Sequence, residues 1–288
     1  MANSLYGSGL NLDAMVVPVK AATVYSAQEN SLYLPGAIVP KIEVPAGSAS
    51  AQVPLMGSVT ATTITAEDTA ASGNPQDFDT VIPTDTKNTI NLSLHAARTV
   101  LRDLGGIDTA DMGRIMGNAI AEAVDKEITS KFVGMTEQEM TETGADKGKL
   151  TLPHIFSAVQ TIRGTGENGQ LFGIVSTDAY ADLMGNVGST SFAGGEFQNS
   201  AMRNGFFGSI AGVQCFVSSY LNNTVLGSAV NPKMAVFSGD AMRMAAQGGV
   251  NVEVARRPEA VGFDVVASMA QGAKLIDQSR SVIIIDQS

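Results

Sequence analysis

The sequence predicts an α+β protein organised around one long amphipathic helix. Three observations lead to this fold class. Apolar residues recur at helical spacing between residues 109 and 133, β-branched extended stretches precede them, and short helices alternate with apolar strands after them. With 288 residues, the chain is long enough for about two domains and a substantial core.

The N-terminal third predicts an arm followed by one long hairpin. Residues 1–41 hold short apolar pieces closed off by Pro18, Pro35 and Pro40, which indicates an arm with little core of its own. Residues 42–86 place extended stretches on both sides of the turn cluster AEDTAASGNPQD. A leg of about 20 residues would project about 65 Å. Because a lone hairpin is marginal in water, it must lie on another surface, and the alternative is a flexible loop.

The central helix is predicted from Thr109 to Val133, a length of about 37 Å. Asp108 or Thr109 can cap its start. Gly113 and Gly117 each cost about 1 kcal/mol relative to alanine, so close approach of another backbone is one reason for their presence. The predicted polar face consists of Asp111, Arg114, Asn118, Glu122, Asp125 and Thr129.

The remaining chain alternates helix and strand. TLPHIFSAVQTIRG predicts a helix, QLFGIVS a buried strand, TDAYADLMG a short helix capped by Thr177, and SVIIID a closing strand. In GFFGSIAGVQCFVSSYL the glycines at 205, 208 and 212 precede residues that alternate with a period of two. A phosphate-binding fingerprint needs a strand before the glycines and a helix after them. The stretch therefore predicts a turn that leads into a strand.

No motif in the sequence predicts catalysis, a cofactor or a metal ion. His95 and His154 are isolated, and Cys215, the single cysteine, alternates with apolar residues, which favours a core position over a nucleophile. The net charge of −10 disfavours strong binding to nucleic acid or anionic lipid, and no run of 18 apolar residues occurs. The chain is expected not to be an enzyme, although an α+β hydrolase is the alternative of that class.

The order of these parts resembles the major capsid protein of tailed double-stranded DNA bacteriophages. The resemblance covers essentially the whole chain and is carried by three stretches of sequence. These are the helix DTADMGRIMGNAIAEAVDKEI, the corner FGSIAGVQCFVSSYL and the closing GAKLIDQSRSVIIID.

The resemblance implies a division into four parts. Residues 1–45 would be the N-terminal arm and residues 46–91 the extended loop. Residues 92–149 and 250–274 would be the peripheral domain with its spine helix at 109–133, and residues 150–249 and 275–288 the axial domain.

The resemblance also implies a structural role. The chain would assemble with itself as hexamers and pentamers into an icosahedral phage head around double-stranded DNA, touched only weakly and non-specifically. Because the sequence begins directly with the arm, either a separate scaffolding protein exists or the chain is already in its mature form, and Met1 favours the scaffolding protein. A portal and cement proteins would be further partners. Assembly would occur in the bacterial host cytoplasm and involve no membrane. The alternatives are an encapsulin-like nanocompartment shell of the same fold and a phage tail structural protein.

Charge patterning gives the candidate contact residues between subunits. Residues 42–86 contain six acids and no lysine or arginine, so the hairpin should dock on a basic or neutral surface of a neighbour. Arg256 and Arg257 could bind phosphate, but an exposed turn that meets acids on a neighbour is favoured. The candidate contacts are Glu67, Asp68, Asp77, Asp79, Arg98, Arg102, Arg114, Arg256 and Arg257.

Overall fold

The computed structural model describes residues 12–55, 86–102, 109–140, 147–187, 206–227, 231–260 and 262–286. The helices of these ranges are α1 (Leu12–Asn30), α2 (Thr109–Ser130), α3 (Leu152–Gly164), α4 (Thr177–Val187) and α5 (Asn223–Leu226). The strands are β1 (Lys41–Glu43), β2 (Ser50–Leu55), β3 (Thr86–Asn91), β4 (Ser93–Arg102), β5 (Thr136–Glu139), β6 (Leu171–Ser176), β7 (Phe206–Ile210), β8 (Val213–Ser218), β9 (Asn231–Ser238), β10 (Met242–Arg257), β11 (Gly262–Leu275) and β12 (Ser281–Asp286). The predicted α+β class is confirmed.

The predicted central helix is confirmed as α2, which continues into a 3-10 turn at Lys131–Gly134. Met116, Ile120, Val124 and Ile128 are buried along its inner side. Its predicted polar face is wrong at two positions, because Asp125 and Thr129 are buried.

A four-stranded sheet lies under α2, in the order β1-β10-β11-β4. Strands β10, β11 and β4 pair antiparallel, whereas β1 adds parallel to β10 at the opposite edge from β4. The inner face of β11 is apolar, with Val265, Ala267 and Met269 buried in the same cluster as α2. The sheet and the helix therefore share one hydrophobic core.

A second sheet has six strands in the order β5-β12-β9-β6-β8-β7. Strands β6 and β12 are almost entirely buried, as their unbroken apolar sequences predict. Helices α3 and α4 pack on this sheet through a cluster that includes Ile155, Ile162 and Leu183.

The predicted corner before β8 is a two-residue hairpin turn. Ala211 and Gly212 both have positive φ, 54° and 78°, and Ile210 pairs with Val213 across the turn. Gly208, with φ 85°, lies where the register shifts between Phe206 and Ser209. A positive φ at such a bulge favours glycine. Gly205 lies outside the described residues.

The N-terminal region differs from the expected arm with little core. Residues 12–30 form a helix through Pro18, and the segment after it buries Tyr33, Ile38 and Val39 in the main core.

The N-cap of α4 is Ser176, one residue before the predicted Thr177, because Ser176 Oγ accepts the backbone N–H of Ala179 at 3.2 Å.

The division into peripheral and axial domains stays a prediction. Strand β10 is continuous across the boundary at residue 250. Strand β5 lies within residues 92–149 but belongs to the six-stranded sheet.

Candidate assembly surfaces

Helices α1 and α2 run side by side in the same direction and touch through glycine. A Cβ on Gly113 would lie 2.5 Å from Ala22 Cβ, and a Cβ on Gly117 would lie 2.5 Å from the carbonyl oxygen of Thr23. Both distances are shorter than real Cβ contacts allow. The close approach suggested by the sequence is confirmed, and only glycine fits at either position.

Polar side chains extend this glycine seam. Ser26 Oγ donates to Asn118 Oδ1 at 2.6 Å, and Asn30 Nδ2 donates to the same oxygen at 2.8 Å. One amide on α2 therefore holds two successive turns of α1, which fixes the sliding register of the two helices.

Asp125 fastens the chain as it leaves α1. Its carboxylate accepts hydrogen bonds from Ser31 Oγ at 2.5 Å and from the backbone N–H of Leu32 at 3.0 Å. Ser31 Oγ itself accepts the backbone N–H of Leu34 at 3.0 Å. Burial raises the pKa of Asp125 above its ordinary value, while these hydrogen bonds oppose the rise. The carboxylate stabilises the turn that directs the chain from α1 towards β1.

The base of the predicted hairpin is an antiparallel pair of strands, β2 and β3. Ser50 pairs with Asn91 at one end, and Leu55 pairs with Thr86 at the other. Ile90 is buried in a small cluster with Val44, Ala245 and Ile276. The β2–β3 pair therefore joins the body of the protein at an apolar root formed by this cluster.

The root crosses the sheet at Gly272 of β11. A Cβ there would lie 2.0 Å from the carbonyl oxygen of Asn91. The backbone N–H of Leu92 donates to the carbonyl oxygen of Ala49 at 2.9 Å, and Gln247 Nε2 donates to that of Pro45 at 2.8 Å. These contacts fix the position of both hairpin legs where they meet β11 and β10.

Strand β4 begins two residues after β3 and presents different chemistry on its two faces. On the inner face, His95 Nε2 lies 2.6 Å from Glu127 Oε2 of α2, with both side chains about 15 % exposed. On the outer face, Leu94 is 72 % exposed and Val100 is 37 % exposed. Arg98, on the same face, donates from Nε to Asp264 Oδ1 at 2.8 Å. This hydrogen bond lowers the pKa of Asp264.

The outward side of α1 carries two large exposed apolar side chains. Val17 is 69 % exposed and Tyr25 is 67 % exposed, and they line a shallow groove with Ala21, Val24, Lys20 and Gln28. The outer faces of α1 and β4 are therefore two surfaces suited to contact with another molecule.

Comparison with solved structures identifies the fold. A capsid structure of the cyanophage P-SCSP1u matches with a TM-score of 0.62 at 17% identity, covering 86% of this chain and 86% of that chain. The mature capsid of bacteriophage PhiM1 matches at 0.62 and 15% identity, covering 89% and 87%. A virus-like particle from Pyrococcus furiosus matches at 0.65 and 11% identity, covering 93% and 98%.

The chain has the capsid-protein fold. At 11% to 17% sequence identity, the three structures share the fold of this chain. No protein-family model matches the sequence, and no curated protein matches it.

Within the capsid-protein fold, the predicted contact arginines lie on two elements of the four-stranded sheet and on α2. Arg102 and Arg257 pair with Gly262 from either side, and Arg98 lies on β4. Arg256 and Arg257 are exposed beside the β10–β11 turn, as predicted, and Arg256 lies 5.7 Å from the ring centre of Phe263.

Other candidates are separate from this group or not described. Arg114 is exposed on α2, with Nη1 3.7 Å from Asp111 Oδ1. Glu67, Asp68, Asp77 and Asp79 lie outside the described residues. Whether the arginines receive the acidic hairpin of a neighbour stays a prediction.

The groups that could carry chemistry occupy structural positions. Cys215 is buried, and burial raises the pKa of its thiol to about 12, so it is a core residue as predicted. His154 forms a capping box with Thr151 at the start of α3. In the described ranges, no group of three or more metal-ligating side chains occurs, and no helix is long and apolar enough to span a bilayer.

Sequence reasoning missed Asp125, Gly272 and the His95–Glu127 pair. One signal was present for Asp125, because Gly113, Gly117 and Ala121 precede it at a constant spacing of four residues. That stripe of small side chains marks the side of α2 that faces α1. No local pattern marks Gly272 or His95, since their partners are distant in sequence.

Proposed function

We propose that this chain is a structural subunit that assembles with itself, as hexamers and pentamers, into an icosahedral phage head that encloses double-stranded DNA. The observation that carries the proposal is the capsid-protein fold, matched over most of the chain and most of each neighbour. No catalytic activity is part of this role.

The hairpin root supports the proposal. Its legs are fixed by the apolar cluster around Ile90 and by the crossing at Gly272, so a projecting hairpin would leave the body in a defined direction. A projecting element of this kind suits head-to-tail contacts, which close into rings.

Composition supports a container rather than a DNA-binding protein. A net charge of −10 and a charged fraction of 16% fit a subunit with weak DNA contacts and extensive interfaces. We propose assembly in the bacterial host cytoplasm, with a separate scaffolding protein, a portal and cement proteins as partners in the virion.

The test is assembly of the full chain in bacteria with its candidate scaffold. Negative-stain microscopy should show closed shells or rings of five and six subunits. Velocity sedimentation that finds only a 29.8 kDa monomer under all scaffold and salt conditions would contradict the proposal.

A second candidate is an encapsulin-like nanocompartment shell. The observation that favours it is the match to the virus-like particle from Pyrococcus furiosus, which covers 98% of that chain. Shells purified from bacteria distinguish the two candidates. Nuclease-protected double-stranded DNA supports the phage head, whereas a co-purified protein cargo and no DNA supports the compartment. A phage tail role is not favoured, because the capsid structures match most of this chain.

We also propose that the acidic hairpin docks on arginines of a neighbouring subunit. An exposed ion pair contributes only about 0–1 kcal/mol, but many symmetry-related copies act together in a shell. Replacing Glu67, Asp68, Asp77 and Asp79 with lysine should leave the subunit folded and block or misdirect assembly.

Charge reversal at the arginines provides the matched experiment. Arg256→Glu with Arg257→Glu in the same chain should partly restore assembly if the β10–β11 turn is the partner. Arg98→Glu is not an equivalent test of docking, because it also breaks the hydrogen bond to Asp264 inside the subunit. Full assembly of the four-lysine variant at low salt would refute the electrostatic contribution.

A further inference from the structure

His95 and Glu127 join the strand that carries the hairpin to the long helix. His95 is the third residue of β4, and only Leu92 separates β4 from the hairpin leg β3. Glu127 lies near the end of α2, and its Oε2 is 2.6 Å from His95 Nε2. The pair is largely shielded from solvent, so its interaction is less screened than that of a surface pair.

Among the groups around the pair, His95 is the cation whose charge changes near neutral pH. From β4 itself, Ser93 Oγ lies 3.4 Å from Glu127 Oε1, and from the 3-10 turn Lys131 Nζ lies 3.9 Å from the same oxygen. From β11, the uncharged amide of Gln271 faces the imidazole. Among these groups of the described structure, Glu127 and Lys131 are charged; Glu127 contacts His95, and Lys131 contacts Glu127.

We propose that His95 and Glu127 form a proton-controlled latch that fastens the hairpin root to α2 in mildly acidic solution and loosens as the pH rises. The protonated imidazole donates a charge-assisted hydrogen bond to the carboxylate, and the neutral ring makes only a weaker one. Loosening the latch removes the side-chain link between β4 and α2, so that the first residues of β4 and, through Leu92, the hairpin leg are held only by their contacts with β11 and the apolar root.

The direction of the pH dependence follows from the charge of the partner. The hydrogen bond that His95 donates to the Glu127 carboxylate raises the pKa of His95 above its ordinary value of 6.5. The stabilisation is therefore complete below pH 6.5 and is lost as the pH rises through the raised pKa. An influence of this latch on hairpin docking rests on the proposed function, whereas the latch itself does not.

Hydrogen–deuterium exchange on the unassembled full chain tests the latch. Amides of residues 90–97 should be at least about threefold less protected at about pH 8.5 than at about pH 5.5, after correction for intrinsic exchange. His95→Gln and Glu127→Gln should both remove this difference. His154→Gln, which replaces the other histidine of the chain, is the control and should retain it.

Three results would overturn the latch. These are equal protection of the wild-type root at both pH values, an unchanged pH difference in His95→Gln, and loss of the difference in His154→Gln. If His95→Gln does not fold, NMR titration of the wild-type His95 ring replaces it. A ring that titrates at or below 6.5 would refute the proposal. Because the measurement needs no shell, its failure is distinct from failure of assembly.

Discussion

Replacing Gly117 with alanine should push α1 away from α2 and destabilise the chain. The added Cβ would lie 2.5 Å from Thr23 O and 2.7 Å from Ser26 Cβ, against 3.4–4 Å for ordinary contact. Helix α1 would have to move outward by about 0.9 Å to restore that contact. Because the contacting atoms belong to a helix backbone, they cannot give way singly.

The magnitude combines three effects. Overpacking costs about 1–3 kcal/mol, and stretching the hydrogen bonds of Ser26 and Asn30 to Asn118 costs about 1 kcal/mol each. Because alanine has a higher helix propensity than glycine, the substitution also stabilises α2 by about 1 kcal/mol. The net expectation is a loss of about 2–4 kcal/mol in the free energy of unfolding, which lowers Tm by about 3–7 °C in a chain of this size.

Thermal and urea unfolding of the unassembled chain measure this effect. Gly164→Ala is the matched control, because Gly164 ends α3 and a Cβ there meets no atom within 4 Å. It should stabilise the chain by up to about 1 kcal/mol. If Gly117→Ala is as stable as the wild type, the two helices do not pack through this seam and the reasoning is refuted.

Three further predictions concern the hairpin root, the cysteine and covalent linkage. Gly272→Ala should lower the free energy of unfolding by about 3 kcal/mol or more, because its Cβ would lie 2.0 Å from the carbonyl oxygen of Asn91. Gly249→Ala, whose Cβ would lie in open space, should have little effect in the same urea unfolding assay. Cys215, with a pKa of about 12, should react with a thiol reagent at neutral pH at least about a hundredfold more slowly in the native than in the unfolded chain, and equal rates would contradict its burial. Residues 42–86 contain no lysine, so assembled shells boiled in detergent should run as single chains on a gel, and a ladder of covalent multimers would contradict the prediction.

Elements with a strong local period were predicted from the sequence. The spacing of Met112, Met116 and Ile120 defines α2, and the unbroken apolar run SVIIID defines β12. The turn before β8 was also predicted, because alternation after Gly212 is a local signal. In each case the residues that decide the structure are neighbours in the chain.

Helix α1 was not predicted, because its sequence carries no amphipathic period and contains Pro18. Apolar residues occur on all its sides, so the side that faces α2 does not stand out. Packing against Gly113 and Gly117 stabilises the helix despite the proline. That packing joins segments about 90 residues apart and leaves no local trace in α1.

The solvent exposure of charged side chains was only partly predicted from the sequence. The exposure of Arg256 and Arg257 followed from the turn sequence around Pro258. The burial of Asp125 did not, because its partner Ser31 lies 94 residues away and supplies the hydrogen bonds that permit a buried carboxylate. Helical periodicity places a residue on a side of the helix, but packing against other elements determines whether that side is exposed to solvent.

The hairpin is attached at opposite edges of one sheet, and this determines how it carries mechanical load. The chain leaves the sheet from β1 at one edge and returns through β4 at the other, so a pull on the hairpin divides between the two. β1 pairs with β10 over three residues, whereas β4 pairs with β11 over ten. Under tension the pairing of β1 with β10 should break first. The longer pairing of β4 with β11 should then keep the other hairpin leg attached to the sheet.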